Sequence, residues 1–151
     1  MIIFIKWYGK LKRFKLKGIM DSHGTWEVTL EYNLLIINLK GYFNVEGVIE
    51  LQNHIKKVVL DKKLTSWNRL EIYAEGTLAT PDAIMAIRKH LTWYEAYGCK
   101  YVGVICHDSI QQYLIKQLGI ENLIIFNSLV EAENYFLNAN EHDKSGLLVS
   151  N

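Results

Sequence analysis

The sequence is short of proline, cysteine and net charge: one proline and two cysteines in 151 residues, with a formal charge of +1. Each scarcity excludes something. Cys99 and Cys106 stand seven apart, a spacing that fits neither a CxxC redox pair nor a zinc knuckle. Two cysteines are also too few to staple a secreted scaffold, so a reducing cytoplasm is the expected setting. A near-zero charge over a chain that is 22% charged gives no case for nucleic-acid binding. Long hydrophobic runs are missing too. Ile2-Ile3-Phe4-Ile5 is apolar for only four residues before Lys6, against the roughly 20 that a membrane span requires. It also lacks the charge-then-apolar order and the cleavage site of a secretory signal.

What the chain does have is apolar content, 50% of its residues. That suffices for one buried core and leaves a second undersized. Charge is unevenly spread. Residues 1–20 carry Lys6, Lys10, Lys12, Arg13, Lys15 and Lys17 with no acid, which leaves about −5 for the remainder once these six are taken from +1. The expected organisation is a basic extension over 1–20, an α/β domain over 21–139 and a flexible polar tail over 140–151. With Trp7, Leu11, Phe14 and Leu16 interleaved among its cations, the extension has the composition of an amphipathic segment on an anionic membrane surface. Its contact residues would be Lys6, Trp7, Lys10, Lys12, Arg13, Lys15 and Lys17. An added edge strand or a solubilising arm explains the same residues.

From Thr25 onward, Trp26, Val28 and Leu30 alternate with Glu27, Thr29 and Glu31, and the run Leu34-Leu35-Ile36-Ile37 follows. These read as two antiparallel strands joined at Tyr32-Asn33, with Asn taking the left-handed conformation of a tight turn. The half-polar first strand belongs at an edge and the apolar second one inside. Asn44 then caps a helix in which Val48, Leu51, Ile55 and Val58 or Val59 recur at helical spacing up to Asp61-Lys62-Lys63. Leu70 to Ala74 is a short strand. Thr80-Pro81-Asp82 is the best-marked helix start, with a capping hydroxyl, a proline at the first position and an acid in the first turn. That helix runs through Ile84, Ile87, Leu91 and Tyr94 to Gly98. A strand over Tyr101 to Cys106 precedes a helix capped by Asp108 or Ser109, which carries Ile110, Tyr113, Leu114 and Leu118 and stops at Gly119. Leu123 to Phe126 and a helix capped by Ser128, with Val130, Ala132, Tyr135 and Phe136 on its apolar side, complete the pattern. Alternation of this kind predicts a single α/β domain with a mixed, mostly parallel sheet of about five strands, an antiparallel N-terminal hairpin and helices covering the sheet.

A hairpin followed by repeated strand and helix units resembles the STAS domain shared by sulfate transporters and anti-sigma-factor antagonists. Two stretches carry the resemblance: Leu34-Leu35-Ile36-Ile37-Asn38-Leu39-Lys40-Gly41, and the closing series from Leu114 through Leu118-Gly119-Ile120, Leu123, Ile125-Phe126, Ser128 and Glu131-Ala132. It covers about Gly24 to Leu137, and the chain looks most like a branch with STAS and Sec14-like names. The resemblance implies a regulatory or binding role. It also implies a phosphorylatable residue at the start of the helix after the central strand, the place held here by Thr80. Ala79 and Pro81 flank it where the family has an acid and a glycine.

No catalytic constellation is expected. Thr80 reads first as a helix cap worth about 1 kcal/mol and second as a phosphorylation site, with Thr77 a weaker acceptor. Cys106-His107-Asp108 lies at the carboxyl end of a strand, where α/β proteins place ligand sites, yet consecutive residues point in opposite directions and seldom converge. The five histidines His23, His54, His90, His107 and His142 include no i, i+4 pair, so neither a metal nor a cofactor is expected. The loops opening onto the helix starts near Thr80 and Asp108 are the expected partner or ligand surface, formed by Thr77, Thr80, Asp82, His107, Asp108 and Ser109. An anion or polar headgroup bound there would have Trp93 and Tyr94 as candidate walls. The expected function is a cytoplasmic binding or regulatory module for a protein partner or a small anionic or lipid ligand, without nucleic acid. Lipid binding at the inner membrane surface through residues 1–20 is the alternative, and a homodimer is left open.

Overall fold

The structure, a computed structural model, describes residues 16–18 and 24–136. Of the basic extension, Lys6, Trp7, Lys10, Lys12, Arg13 and Lys15 lie outside the described residues, as does the tail over 140–151. Lys17 is described in its backbone alone.

Six strands form the main sheet: β1 (Leu16–Gly18), β2 (Thr25–Glu31), β3 (Leu34–Lys40), β5 (Trp67–Tyr73), β7 (Cys99–Ile105) and β8 (Leu123–Phe126), adjacent in that order. The first two junctions are antiparallel and the other three parallel. Two short strands, β4 (Tyr42–Phe43) and β6 (Leu78–Ala79), pair in parallel beyond its carboxyl end. Helix α1 (Val45–Asp61) joins the β3–β4 unit to β5, α2 (Pro81–Ala96) joins β6 to β7, and α3 (Ser109–Lys116) joins β7 to β8. A last helix, α4, is described over 129–136.

The helix boundaries follow from local chemistry. Asn44 Oδ1 accepts from Gly47 N at 3.0 Å, Thr80 Oγ1 from Ala83 N at 3.1 Å, Asp108 Oδ1 from Gln111 N at 2.9 Å and Ser128 Oγ from Glu131 N at 3.2 Å. Each satisfies a backbone N–H that the first turn otherwise leaves unpaired. Gly98 and Gly119, at φ +90° and +69°, end α2 and the α3 region in the left-handed conformation that favours glycine.

Because side chains alternate along a strand, β3 feeds two cores. Leu35, Ile37 and Leu39 face α1 and α2 together with Val28, Val48, Ile55, Val59 and Trp67. Leu34 and Ile36 face the opposite way, joining Leu70, Phe126, Ala132 and Phe136 under α4. Burial of each Leu or Ile stabilises by about 1.5–3 kcal/mol. Gly103 of β7 lies against α4 so closely that a Cβ there would stand 2.8 Å from the Phe126 ring and 2.9 Å from the Phe136 ring. Glycine is the residue that lets this helix lie on the sheet.

Several expectations are corrected. The strand over Thr25–Glu31 is not at the edge, since β1 covers its outer side. In the hairpin turn the left-handed residue is Tyr32, at φ 55°, and not Asn33. The strand expected from Leu70 begins at Trp67. Ile110, Tyr113, Val130 and Tyr135 are exposed, so α3 buries Gln111 and Ile115 and α4 buries Ala132 and Phe136.

Candidate functional site

The starts of α2 and α3 lie at the same end of the sheet, because each follows the carboxyl end of one of the adjacent parallel strands β5 and β7. The side chain that joins them is Gln111. Its Nε2 donates to Ala74 O at 2.9 Å and to Thr77 O at 3.1 Å, and its Oε1 accepts from His107 N at 2.8 Å. One buried amide thus ties the loop leading to Thr80 to the turn leading into α3. Its sequence mark is the Asp108-x-x-Gln111 spacing of a capping box, a pattern that Ser128-x-x-Glu131 repeats with Glu131 Oε2 accepting from Asn127 N at 2.9 Å.

Around this brace Asp82, His107, Asp108 and Ser109 are exposed, and Thr80 is half-buried. Thr77 is not a surface residue: it is buried, and its hydroxyl donates to Leu39 O at 3.2 Å. Large apolar side chains fill out the same end, Tyr42, Leu78, Met85 and Ile110 all being exposed. Thr80 N donates to Phe43 O at 2.9 Å, which fastens β4 to the start of α2.

Of the two aromatics expected to wall a pocket here, Trp93 does not, whereas Tyr94 lines an internal cavity that also touches Thr77, Leu78 and Gln111. Thirteen residues of helix separate Trp93 from Thr80, about 20 Å at 1.5 Å per residue. Trp93 instead stacks on Tyr97, with Lys56 over its ring, and Tyr94 is buried against Trp67. Nor does Cys106-His107-Asp108 assemble as a nucleophile. Burial, and then Asp108, push the Cys106 thiol upward, which disfavours the thiolate. The Asp108 carboxylate is committed to its cap. Among the described residues no three His, Cys, Asp or Glu side chains cluster so as to hold a metal ion.

A second polar group lies inside the domain, on the sheet face beneath α1, α2 and α3. Arg69 Nη2 pairs with Glu71 Oε1 at 2.9 Å, and Tyr73 Oη donates to Glu71 Oε2 at 2.6 Å. The Arg69 guanidinium also lies 4.3 Å from the centre of the Tyr94 ring. Burial opposes the Arg69 charge, but Glu71 and then Tyr94 outweigh it and hold the guanidinium above its ordinary range. Together with aliphatic side chains from the three helices, these groups border a cavity of about 90 Å³.

Burial pushes the Tyr94 hydroxyl up to about 12 and the Cys99 thiol up to about 11. Tyr73 is raised as well, by burial and then by Glu71 as charge and acceptor. All three are neutral when protonated, and each folded value lies above its unfolded one. Their contribution is therefore fully present below about pH 9 and is lost as pH rises toward 12, by about 3 kcal/mol for a two-unit shift. The urea midpoint should stay level from pH 7 to 8.5 and fall steeply above 10, and Tyr94→Phe should flatten that fall. An equal alkaline loss in the variant would show that Tyr94 is not involved.

No protein-family model matches the chain, and no curated protein matches it. Solved structures do. The unphosphorylated form of the anti-sigma factor antagonist SpoIIAA aligns with a TM-score of 0.54 at 9% identity, over 75% of this chain and 97% of that one. The phosphorylated form of the Bacillus cell fate determinant SpoIIAA gives 0.52 at 12%, over 74% and 98%. The overall structure of SLC26A9 gives 0.51 at 16%, over 90% of this chain and 25% of that much longer one. Likeness at such identities concerns the fold alone. In its sheet order, its layers and its structural relatives, the chain has the STAS domain fold.

Proposed function

We propose that the chain is a non-enzymatic, cytoplasmic regulatory module, and that it binds a protein partner through the end of the sheet where α2 and α3 begin. The observation that carries this reading is the apolar exposure around two braced helix starts. Ile110, Met85 and Tyr42 are 63%, 57% and 56% exposed, at the same end of the sheet as Thr80, Asp82, His107, Asp108 and Ser109. Apolar side chains grouped on a rigid support and rimmed by polar ones fit the anatomy of a protein-binding patch. The SpoIIAA neighbours support it further, one being described as an anti-sigma factor antagonist and another as phosphorylated. In this reading Thr80 serves as the cap of α2. Phosphorylation there is the finer alternative, and the mass of the native protein reads it directly.

Photo-crosslinking side chains placed at Met85 and Ile110, with Lys63 near the opposite end of the sheet as control, test the surface in an extract of the source cells. A discrete adduct is expected from the first two positions and none from Lys63. Substituting Asp for either apolar residue should remove the adduct of the other while changing stability by less than about 0.5 kcal/mol, since both are exposed. Adducts of equal yield at Lys63 would sink the assignment.

A further inference from the structure

We infer that the cavity between the sheet and helices α1, α2 and α3 is a binding site for a small neutral amphiphile, an apolar body carrying one hydroxyl, which Gln52 receives. The inference stands independently of the partner surface. Its basis is the pairing of the polar groups in the cavity wall. Thr77 donates to Leu39 O, and Gln111 is committed to Ala74, Thr77 and His107. Both oxygens of Glu71 are taken, one by Arg69 and one by Tyr73. Among the described residues, two buried side-chain atoms of the wall remain unpaired, Gln52 Oε1 and Arg69 Nε, on residues 4% and 3% exposed. An acceptor buried without a donor is destabilising. At position 52, on the inner face of α1 beside Val48 and Ile55, a leucine or methionine would avoid that cost. The glutamine is accounted for if a donor enters the cavity.

The chemistry of that donor follows from the rest of the wall. Arg69 and Glu71 cancel, so neither an anion nor a cation finds a free countercharge. Most of the lining is aliphatic, including Val48, Ile84 and Ile115, so a water held by Gln52 and Arg69 would leave most of the wall uncovered, which favours an organic body over water alone. About 90 Å³ is smaller than the roughly 150 Å³ of an apolar cavity known to accept benzene, so the enclosed part takes a short branched chain and a single ring would extend toward the Leu78 side. Leu78, 36% exposed, stands in the wall and gives the cavity a side toward solvent.

Phenol, toluene and benzoate are the probes, because they share a ring and differ in one group. Titrated into the intact chain under NMR observation, phenol should produce saturable shifts at the Gln52 side-chain amide, with contacts from its ring to the Val48, Ile84 and Ile115 methyls. Phenol should bind about tenfold more tightly than toluene, the size expected for one hydrogen bond to a buried acceptor, and benzoate should not bind. Gln52→Met should bring the phenol to toluene ratio to about one. The inference is overturned if no probe gives saturable methyl shifts, if phenol and toluene bind equally to the unsubstituted chain, if Gln52→Met leaves the ratio unchanged, or if a water contact at Gln52 persists with phenol in excess. Measurements on the unsubstituted chain decide the matter even if the variant fails to fold.

Discussion

Replacing Glu71 with alanine should lower the unfolding free energy by about 3–5 kcal/mol, a large share of the 5–15 kcal/mol typical of a domain this size. The reason is the permanence of the Arg69 charge. A buried lysine or histidine left without its partner can shed its proton, whereas a guanidinium held above its ordinary range cannot, and Arg69 is 3% exposed. Tyr73 would lose its acceptor in the same substitution. Glu71→Gln should cost less, because an amide oxygen still accepts from one of the two donors. Arg69→Met with Glu71→Leu should recover most of the loss, since exchanging a whole buried pair for apolar residues is often close to neutral. Equilibrium urea unfolding followed by circular dichroism gives all three values. A Glu71→Ala cost below about 1 kcal/mol would mean that water reaches Arg69 readily.

Trp67→Ala is the other substitution expected to be severe, by about 3–5 kcal/mol. Trp67 is fully buried at the first position of β5, edge-on to Tyr94, and its Nε1 donates to Tyr97 O at 2.8 Å. The indole thereby joins the start of a central strand to the end of α2. Alanine leaves a void and an unpaired carbonyl at the same point. For a domain of this length the loss corresponds to a melting temperature lower by more than about 10 °C. Trp67→Phe keeps most of the ring and forfeits the hydrogen bond, so its cost should be about 1–2 kcal/mol. Equal losses for the two variants would place the whole effect in the hydrogen bond and none in the packing.

The elements that could be read from the sequence are those with local causes. Asn44, Thr80-Pro81, Asp108 and Ser128 each mark a helix start through a contact three residues away, and the structure has all four. Elements with distant causes were not legible. The polar residues Asn68 and Arg69 disguised the first half of β5, and only neighbours from other elements make a buried arginine tolerable. The exposure of Ile110, Tyr113 and Val130 depends on which side of its helix each domain face covers, and for a short helix periodicity alone leaves that choice open. The helix starts at Thr80 and Asp108 are marked locally in the sequence, whereas the contacts of Gln111 with Ala74 and Thr77 and the place of Gln52 in the cavity wall depend on residues far away in the chain. The burial of Thr77 is illegible for the same reason, since its acceptor lies 38 residues earlier.

The sheet is also shaped by the lengths of its strands. The four interior strands have seven residues each, whereas the two flanking ones have three and four. An outermost strand offers its unpaired N–H and C=O groups to any other chain that can lie alongside, and the offer grows with length. Among the described residues, short margins on both sides keep the seven-residue strands away from such a template. A second chain adding a strand would therefore meet little backbone at either margin of the described sheet.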